Sequence, residues 1–336
     1  MSMLLNKTIR LFLDSIGRRE EYEYYLDRFT SGGSRAFALL VPERDGFEEA
    51  AGVFVFDMQF LLKLGLDPVI LLCGTDATAL RDLLELEDHP FDWLPVQFND
   101  PLQSWDAVLT GLETARRNGH ALVLMDASCD LEAALRVLLP ALSRRVHFIR
   151  LRGPLHDADG KPLGIYQIQS TMDSSLASED QALAGFAGTL LETVPGLHIS
   201  VASPLQLLKE LFTVKGAGCL IRRMASIRHV RGLDELDARR LTDLLEAAFG
   251  KRLQQRGFLD SAIDFYVEEQ YLGAAILEPC GSVMYLSKFA VQAEARGEGL
   301  AQELWRAVCA DHQSLFWRSS LRNPVNQWYD RQADGY

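Results

Sequence analysis

The sequence predicts an α/β protein built as two consecutive units, and three observations predict it. Through residues 1–224, short continuous apolar runs alternate with amphipathic helical patterns. That rhythm implies an open, mostly parallel sheet with helices on both faces. Over residues 225–336 the pattern changes to longer extended runs and one glycine-containing loop that opens a long helix, a mixed α/β arrangement. The length of 336 residues gives each unit room for its own core.

Two amphipathic helices open the chain, near 3–16 and 19–30. The second sets Tyr22, Tyr25, Leu26 and Phe29 on one face, and Gly32-Gly33-Ser34 breaks it. FALLV at 37–41 is the first strand and leads into a helix near 47–65. PVILLC at 68–73 is the second and leads into a helix near 77–86. A helix near 104–117 precedes ALVLM at 121–125, and one near 130–143 precedes VHFIRL at 146–151. In PLHDADGKPLGIYQI, Asp159-Gly160 between extended segments reads as a hairpin turn. A helix at 178–193, a strand HISVA at 198–202 and a helix near 204–212 complete this half. In the second half Leu241, Leu244, Leu245 and Ala248 keep helical spacing, and Gly250 stops that helix. AAIL (274–277) and VMYLSKFAV (283–291) are extended. The helix after ARGEGLA lines up Leu300, Leu304 and Val308, and LFWR at 315–318 is a last strand.

Composition narrows the function. With 34 Lys and Arg against 46 Asp and Glu, the net charge is −12, a poor balance for a general nucleic-acid binder, so any anion site must be local. No apolar run approaches the ~20 residues that span a bilayer. The first residues, MSMLLNKTIRLFLDSIG, carry Asn6, Lys7, Arg10 and Asp14 inside the apolar stretch and read as an amphipathic helix, not a signal peptide. The five cysteines are widely separated and offer neither metal-ligand spacing nor a disulfide framework, so a reduced, cytoplasmic protein without a metal is expected.

The chemistry concentrates in the segment from Lys288 to Ala301. There a strand runs through a loop of small residues straight into a helix. The first N–H groups of such a helix lack internal partners and sit at the positive end of its dipole, a seat for a diphosphate. Gly297 and Gly299 remove the Cβ atoms that would hold an anion off, and Arg296 adds a cation at the rim. A dinucleotide fingerprint would need a third glycine where Gln302 stands, and a Walker loop would need Gly-Lys-Ser/Thr. The acyl-CoA loop of GNAT acetyltransferases, Q/R-x-x-G-x-G/A, is matched by Arg296, Gly299 and Ala301. An ordinary helix start with two glycines is the plain alternative.

YLSKFAV, EARGEGLA, LFWRSS and NPVNQWYDRQADG resemble the acetyltransferase domain of the N-acetylglutamate synthases, of the type fused to an amino-acid-kinase domain. PLQLLKELFTVKGAGCLIRR resembles that family's join between domains, and YLDRF with the DADGKPL hairpin resembles its kinase part. The resemblance implies an amino-acid-kinase-like unit over 1–224 and a GNAT unit over 225–336, short of the family's last strand. It implies direct acetyl transfer from acetyl-CoA to the amine of L-glutamate, a step of arginine biosynthesis. By family position, the amides of Phe289, Ala290 and Val291 hold the thioester and pantetheine arm. Those of Arg296, Gly297, Glu298, Gly299, Leu300 and Ala301 hold the diphosphate. Tyr329 protonates the leaving thiolate, and Lys288, Arg318 and Asn323 contact the acceptor. The general base is not identified.

Departures from the family pattern qualify this. Ser320 replaces its second arginine, with Arg322 as a nearby substitute, and Ser287 replaces the acid before the strand lysine. A different amino acid or amine as acceptor, or a weakly active or inactive regulatory paralogue binding arginine or a partner subunit, are the alternatives. In the first unit Pro42-Glu43 stands where the family's kinases carry Lys-x-Gly-Gly, and Cys73-Gly74-Thr75-Asp76 lacks the second glycine cluster. Phosphoryl transfer depends on such cations and amide cradles, so neither kinase activity nor ATP binding is expected. The unit is expected to serve homo-oligomerisation and regulation, with L-arginine held between the N-terminal helix and LFTVKGAG (211–218). Neither a nucleic acid nor a membrane is an expected partner.

Overall fold

The computed structural model describes residues 3–30, 38–43, 47–73, 91–96, 105–118, 120–125, 131–168, 175–194, 196–213, 216–253, 261–295, 299–321, 323 and 325–335. The chain forms two compact units, Met1–Arg223 and Met224–Tyr336.

The first unit is an open eight-stranded sheet. Its strands are β1 (Leu39–Pro42), β2 (Val69–Cys73), β3 (Phe91–Val96), β4 (His120–Met125), β5 (Arg145–Ile149), β6 (Ile165–Ile168), β7 (His198–Ala202) and β8 (Cys219–Arg223), in the order β3-β4-β2-β1-β5-β7-β8-β6. All neighbours are parallel except β7 and β8. The central runs are continuously apolar because both faces are covered. Leu39, Val41, Val69, Leu71, Val146 and Phe148 face one core, under α4 (Trp105–Asn118), α5 (Leu131–Leu142) and α6 (Ser178–Thr193). Leu40, Ile70, Leu72 and Ile149 face the other. That core is closed by α1 (Met3–Ile16), α2 (Arg19–Thr30), α3 (Phe47–Lys63) and α7 (Leu207–Phe212). Tyr22 and Phe29 are buried there and Tyr25 and Leu26 pack against it, as the helical spacing requires.

Two expectations are adjusted. The segment expected as a hairpin makes its turn at Asp157–Lys161, where the Asp157 carboxylate accepts from the N–H groups of Asp159 and Lys161 at 3.1 and 2.8 Å. It forms isolated antiparallel bridges, His156 to Pro162 and Asp157 to Leu176, in place of a two-stranded ladder, while β6 pairs with β8. The last helix of this half begins as a 3-10 turn over Pro204–Gln206. The helix expected near 77–86 and the loop at 74–76 lie outside the described residues.

The second unit is a five-stranded sheet of β9 (Ile227–Val230), β10 (Asp264–Glu268), β11 (Gly273–Cys280), β12 (Val283–Val291) and β13 (Leu315–Trp317). Its order is β13-β12-β11-β10-β9. Strands β9 to β12 pair antiparallel, and β13 joins β12 in parallel. A parallel neighbour needs a crossover, which α9 (Leu300–Asp311) supplies. α8 (Ala238–Phe249) buries Leu241, Leu244 and Leu245 on one face of the sheet, against Phe265, Val267, Ala274, Ile276 and Ala290. α9 buries Leu300, Leu304, Trp305 and Val308 on the other, against Tyr266, Ala275, Leu277 and Leu286. Both helices have the extent their apolar stripes dictate: Asp237 caps the Arg239 and Arg240 N–H groups of α8, and Gly250 ends it in the left-handed region. A short helix, α10 (Asn326–Gln332), follows β13.

Among the described residues no helix is long and apolar enough to cross a membrane, and no cluster of three His, Cys, Asp or Glu side chains is placed to hold a metal. Cys219, Cys280 and Cys309 are free thiols.

Candidate active site

The site is built where β12 leaves its neighbour. The pairing of β13 with β12 covers Met284–Leu286 and, among the described residues, ends there, while β12 runs on to Val291. On its other side β12 stays paired with β11 to its end. The last part of β12 therefore has one edge turned to a gap, and an open edge offers N–H and C=O groups to an extended, amide-bearing ligand. Phe289, Ala290 and Val291 lie on this stretch.

A β-bulge decides which side chains face which way. Ile276 pairs with Lys288 but Leu277 pairs with Leu286, so Ser287 is the extra residue. A bulge shifts the alternation by one. Leu286 and Phe289 both face α9, and Lys288, paired with Ile276, faces α8. The Lys288 ammonium donates to the carbonyl and the hydroxyl of Ser287, both at 3.2 Å. Arg318, just past β13, holds its guanidinium 5.5 Å from the centre of the Tyr285 ring, and Tyr285 stacks on Phe316. Phe316 alternates with Leu315 and Trp317, which pack against the α9-side core. The two cations Lys288 and Arg318 thus share the α8 face.

The α9 face carries aromatic rings. Phe289 stacks on Trp328 at 5.3 Å. Tyr329 packs against Trp317 at 5.5 Å, Trp328 at 5.4 Å and Phe289 at 6.5 Å. Burial raises the Tyr329 phenol above its ordinary pKa of 10.0. Trp305 closes the cluster against Trp317 and Trp328. A cleft of about 830 Å³ opens beside β13, with Trp305, Trp317, Asn326 and Tyr329 among its lining.

At the mouth of the gap α9 begins. Gly299 is its N-cap with φ 83°, a left-handed conformation that suits glycine, and as a glycine it brings no side chain to cap the helix. The start of α9 sits directly on the sheet: a Cβ at Gly273 would come within 2.8 Å of Leu304 and 2.9 Å of Leu300. Gly273 is the partner of Val291, so the helix start and the open end of β12 are neighbours. Leu300 is buried and Ala301 half-buried. Arg296, Gly297 and Glu298 lie outside the described residues, as does Arg322.

Asn323 is occupied in its own loop. Its amide donates to the Ser319 hydroxyl at 2.9 Å, and its side-chain oxygen accepts from the Val325 N–H at 3.1 Å. Sequence reasoning missed Ser287 as the residue that aims Lys288, since a bulge leaves no signature in an apolar strand. Trp317 and Trp328, half-buried and packed against the core of this unit, frame Tyr329.

In the first unit, the edge of the expected kinase site is described at Glu43, whose N–H donates to the Ile149 carbonyl at 2.7 Å. The region expected to hold arginine is compact: a Cβ at Gly17, just past α1, would lie 2.7 Å from the Thr213 side chain. The Glu210 carboxylate accepts from the N–H groups of Ala217 and Gly218 at 2.8 and 2.7 Å.

Comparison with known proteins follows this geometry. Residues 228–336 match the family model described as NAT, N-acetyltransferase, of N-acetylglutamate synthase. The chain is 34% identical over 236 residues to the mitochondrial N-acetylglutamate synthase of Homo sapiens, covering 66% of this chain and 43% of that protein. To the same enzyme of Danio rerio it is 27% identical, over 99% of this chain and 75% of that protein. To an acetylglutamate kinase of Xanthomonas campestris it is 34% identical, over 57% of this chain and 48% of that protein. The chain thus spans less than half the length of the human and bacterial relatives. Among solved structures it is similar in fold to the N-acetylglutamate synthase of Neisseria gonorrhoeae complexed with coenzyme A and N-acetyl-glutamate, with a TM-score of 0.55 and 15% identity over 93% of this chain and 90% of that one.

Proposed function

We propose that this chain, a homologue of the N-acetylglutamate synthases in which an amino-acid-kinase-like unit precedes a GNAT unit, transfers the acetyl group of acetyl-CoA to the amine of L-glutamate. The observation that carries the reading is the end of β12, past its pairing with β13, beside the glycine start of α9. One offers strand-like hydrogen bonds to the pantetheine amides, and the other offers N–H groups and a helix dipole to the diphosphate. The Neisseria synthase, solved in complex with coenzyme A and N-acetyl-glutamate and with coenzyme A and L-arginine, supports the same reading.

In the proposed reaction the neutral amine of glutamate attacks the thioester carbonyl carbon. The C–N bond forms, the carbonyl oxygen takes the negative charge, and an amide N–H near Phe289 to Val291 stabilises it by about 3 kcal/mol. The C–S bond then breaks, the sulfur takes the phenolic proton of Tyr329, and the proton that the nitrogen sheds on becoming an amide restores the phenol. Lys288 and Arg318, on one face, pair with the two carboxylates of glutamate. No residue is assigned as the base for the ammonium proton. We further propose that Asn323 contacts the acceptor from a loop its own side chain holds, with Ser320 leaving Arg318 to act without a second arginine.

The test is calorimetry with acetyl-CoA followed by thiol release across amino acids. Micromolar acetyl-CoA binding and release dependent on glutamate are expected. Turnover on another amine alone, or binding without turnover, would replace this reading by one of the two alternatives.

The first unit we read as a regulatory and oligomer-forming body without kinase activity. The N–H after β1 is spent on Ile149, and a carboxylate at Glu43 repels a nucleotide. Magnesium-ATP is expected to leave the melting temperature unchanged. L-arginine is expected to raise it by binding between the N-terminal helix and residues 211–218.

A further inference from the structure

The turn between β10 and β11 contains the one described non-glycine residue with left-handed backbone, Tyr271 at φ 60°. A side chain in that region is held only when its surroundings over-determine it, and such residues gather near functional sites. Here the surroundings are specific. Tyr271 is buried. Its hydroxyl accepts from the Asp237 N–H, at the cap of α8, at 2.8 Å. The Arg240 guanidinium lies 4.4 Å from the centre of its ring and also donates to the Gln270 carbonyl at 2.9 Å. The Tyr271 N–H donates to the Glu268 carbonyl at 2.8 Å. The Glu268 carboxylate accepts from the N–H groups of Gln270 and Leu272 on either side.

What this arrangement presents is the Tyr271 carbonyl. It accepts from the Gln292 side-chain amide at 3.2 Å. Gln292 is the first residue past β12, and its own N–H donates to the Leu272 carbonyl at 2.8 Å. Its carbonyl in turn accepts from the Ala295 N–H, closing the 3-10 turn Ala293–Ala295 on the way to Gly299 and α9. Flipping Tyr271 into a right-handed conformation would redirect the peptide plane that Gln292 reads.

We propose that Tyr271 and Gln292 are positioning residues that set where β12 exits toward the diphosphate-binding start of α9. They act on the donor substrate through the backbone and do not touch the acceptor. The proposal rests on the acetyltransferase reading above. Two independent features carry it: a non-glycine left-handed residue tied to three elements, and a side-chain amide that passes its carbonyl direction to the strand exit.

The experiment is steady-state kinetics on the full chain with two donors: acetyl-CoA, and acetyl-pantetheine, which lacks the diphosphate. Gln292→Met keeps the side-chain length and removes the donor. It is expected to raise the acetyl-CoA KM about tenfold, with kcat and the glutamate KM within about twofold, and to leave kcat/KM for acetyl-pantetheine unchanged. Tyr271→Ala and Tyr271→Gly both delete the ring, but only glycine is at ease at φ 60°. The glycine variant is expected to keep an acetyl-CoA KM several-fold below that of the alanine variant. Equal losses with both donors, a fall confined to kcat, or identical Ala and Gly variants would overturn the proposal. If the unmodified protein binds no acetyl-CoA by calorimetry, the acetyltransferase reading itself fails. If it binds and Gln292→Met binds equally well, only the positioning role fails.

Discussion

A phenol set among the rings of Phe289, Trp317 and Trp328 is a poor place for a negative charge, so in the proposed reaction Tyr329 would give up its proton only as a thiolate departs. Tyr329→Phe keeps the ring packing and removes the proton. Its kcat is expected to fall by roughly 100-fold, with the acetyl-CoA dissociation constant unchanged by calorimetry. A fall in affinity instead would mean that the residue only packs. The resemblance named Tyr329 and Lys288 from motif position, whereas their settings were not legible. Ser287 has the composition of an ordinary strand residue, and only the cross-strand register reveals that it turns Lys288 onto the α8 face. Asn323 was named by the same resemblance as an acceptor contact, and its side chain is held within its own loop.

Among the elements, those with one clear periodicity were readable and those with satisfied polar residues were not. Helices α1, α2, α8 and α9 follow apolar stripes that the sequence displays directly. Strands β9 and β10 escaped because IRHV and DFYVE mix charges into short runs. Asp264 and Glu268 are nevertheless buried. Asp264 meets His229 at 2.7 Å, and Glu268 binds the backbone of its own turn. Those partners come from tertiary structure, which no local pattern reports. The start of α9 carries the element-scale prediction. Gly299→Val places a β-branched side chain at φ 83°. It is expected to weaken acetyl-CoA at least tenfold by calorimetry while far-ultraviolet dichroism stays that of the folded chain. Undiminished affinity would move the diphosphate elsewhere.

At the scale of the whole molecule, two of the ionisable groups buried in the first unit, Asp57 and His147, have opposite consequences. Burial pushes the Asp57 carboxyl from 3.8 up to about 8. It also drives the His147 imidazole from 6.5 down to about 3, with a smaller push from Arg145. The folded state holds the Asp57 proton more tightly than the unfolded chain does. That contribution is complete below 3.8 and is lost as pH rises through about 8. His147 resists its proton when folded, so its contribution is complete above 6.5 and is lost as pH falls through about 3. The melting temperature should therefore fall on both flanks. Asp57→Asn is expected to flatten the alkaline flank, with a gain over the unmodified chain of a few degrees at pH 8 and little at pH 5. An unchanged alkaline flank would show that Asp57 reaches water. The single inserted residue in β12 has an effect on kinetic order as well. It sends the cations proposed to bind the amino acid to one side of the sheet and the rings proposed to face the thiol to the other, which would give each reactant its own doorway. Neither has to wait for the other to arrive or leave, so initial-velocity plots should intersect, and dead-end analogues of each reactant should compete only with their own counterpart.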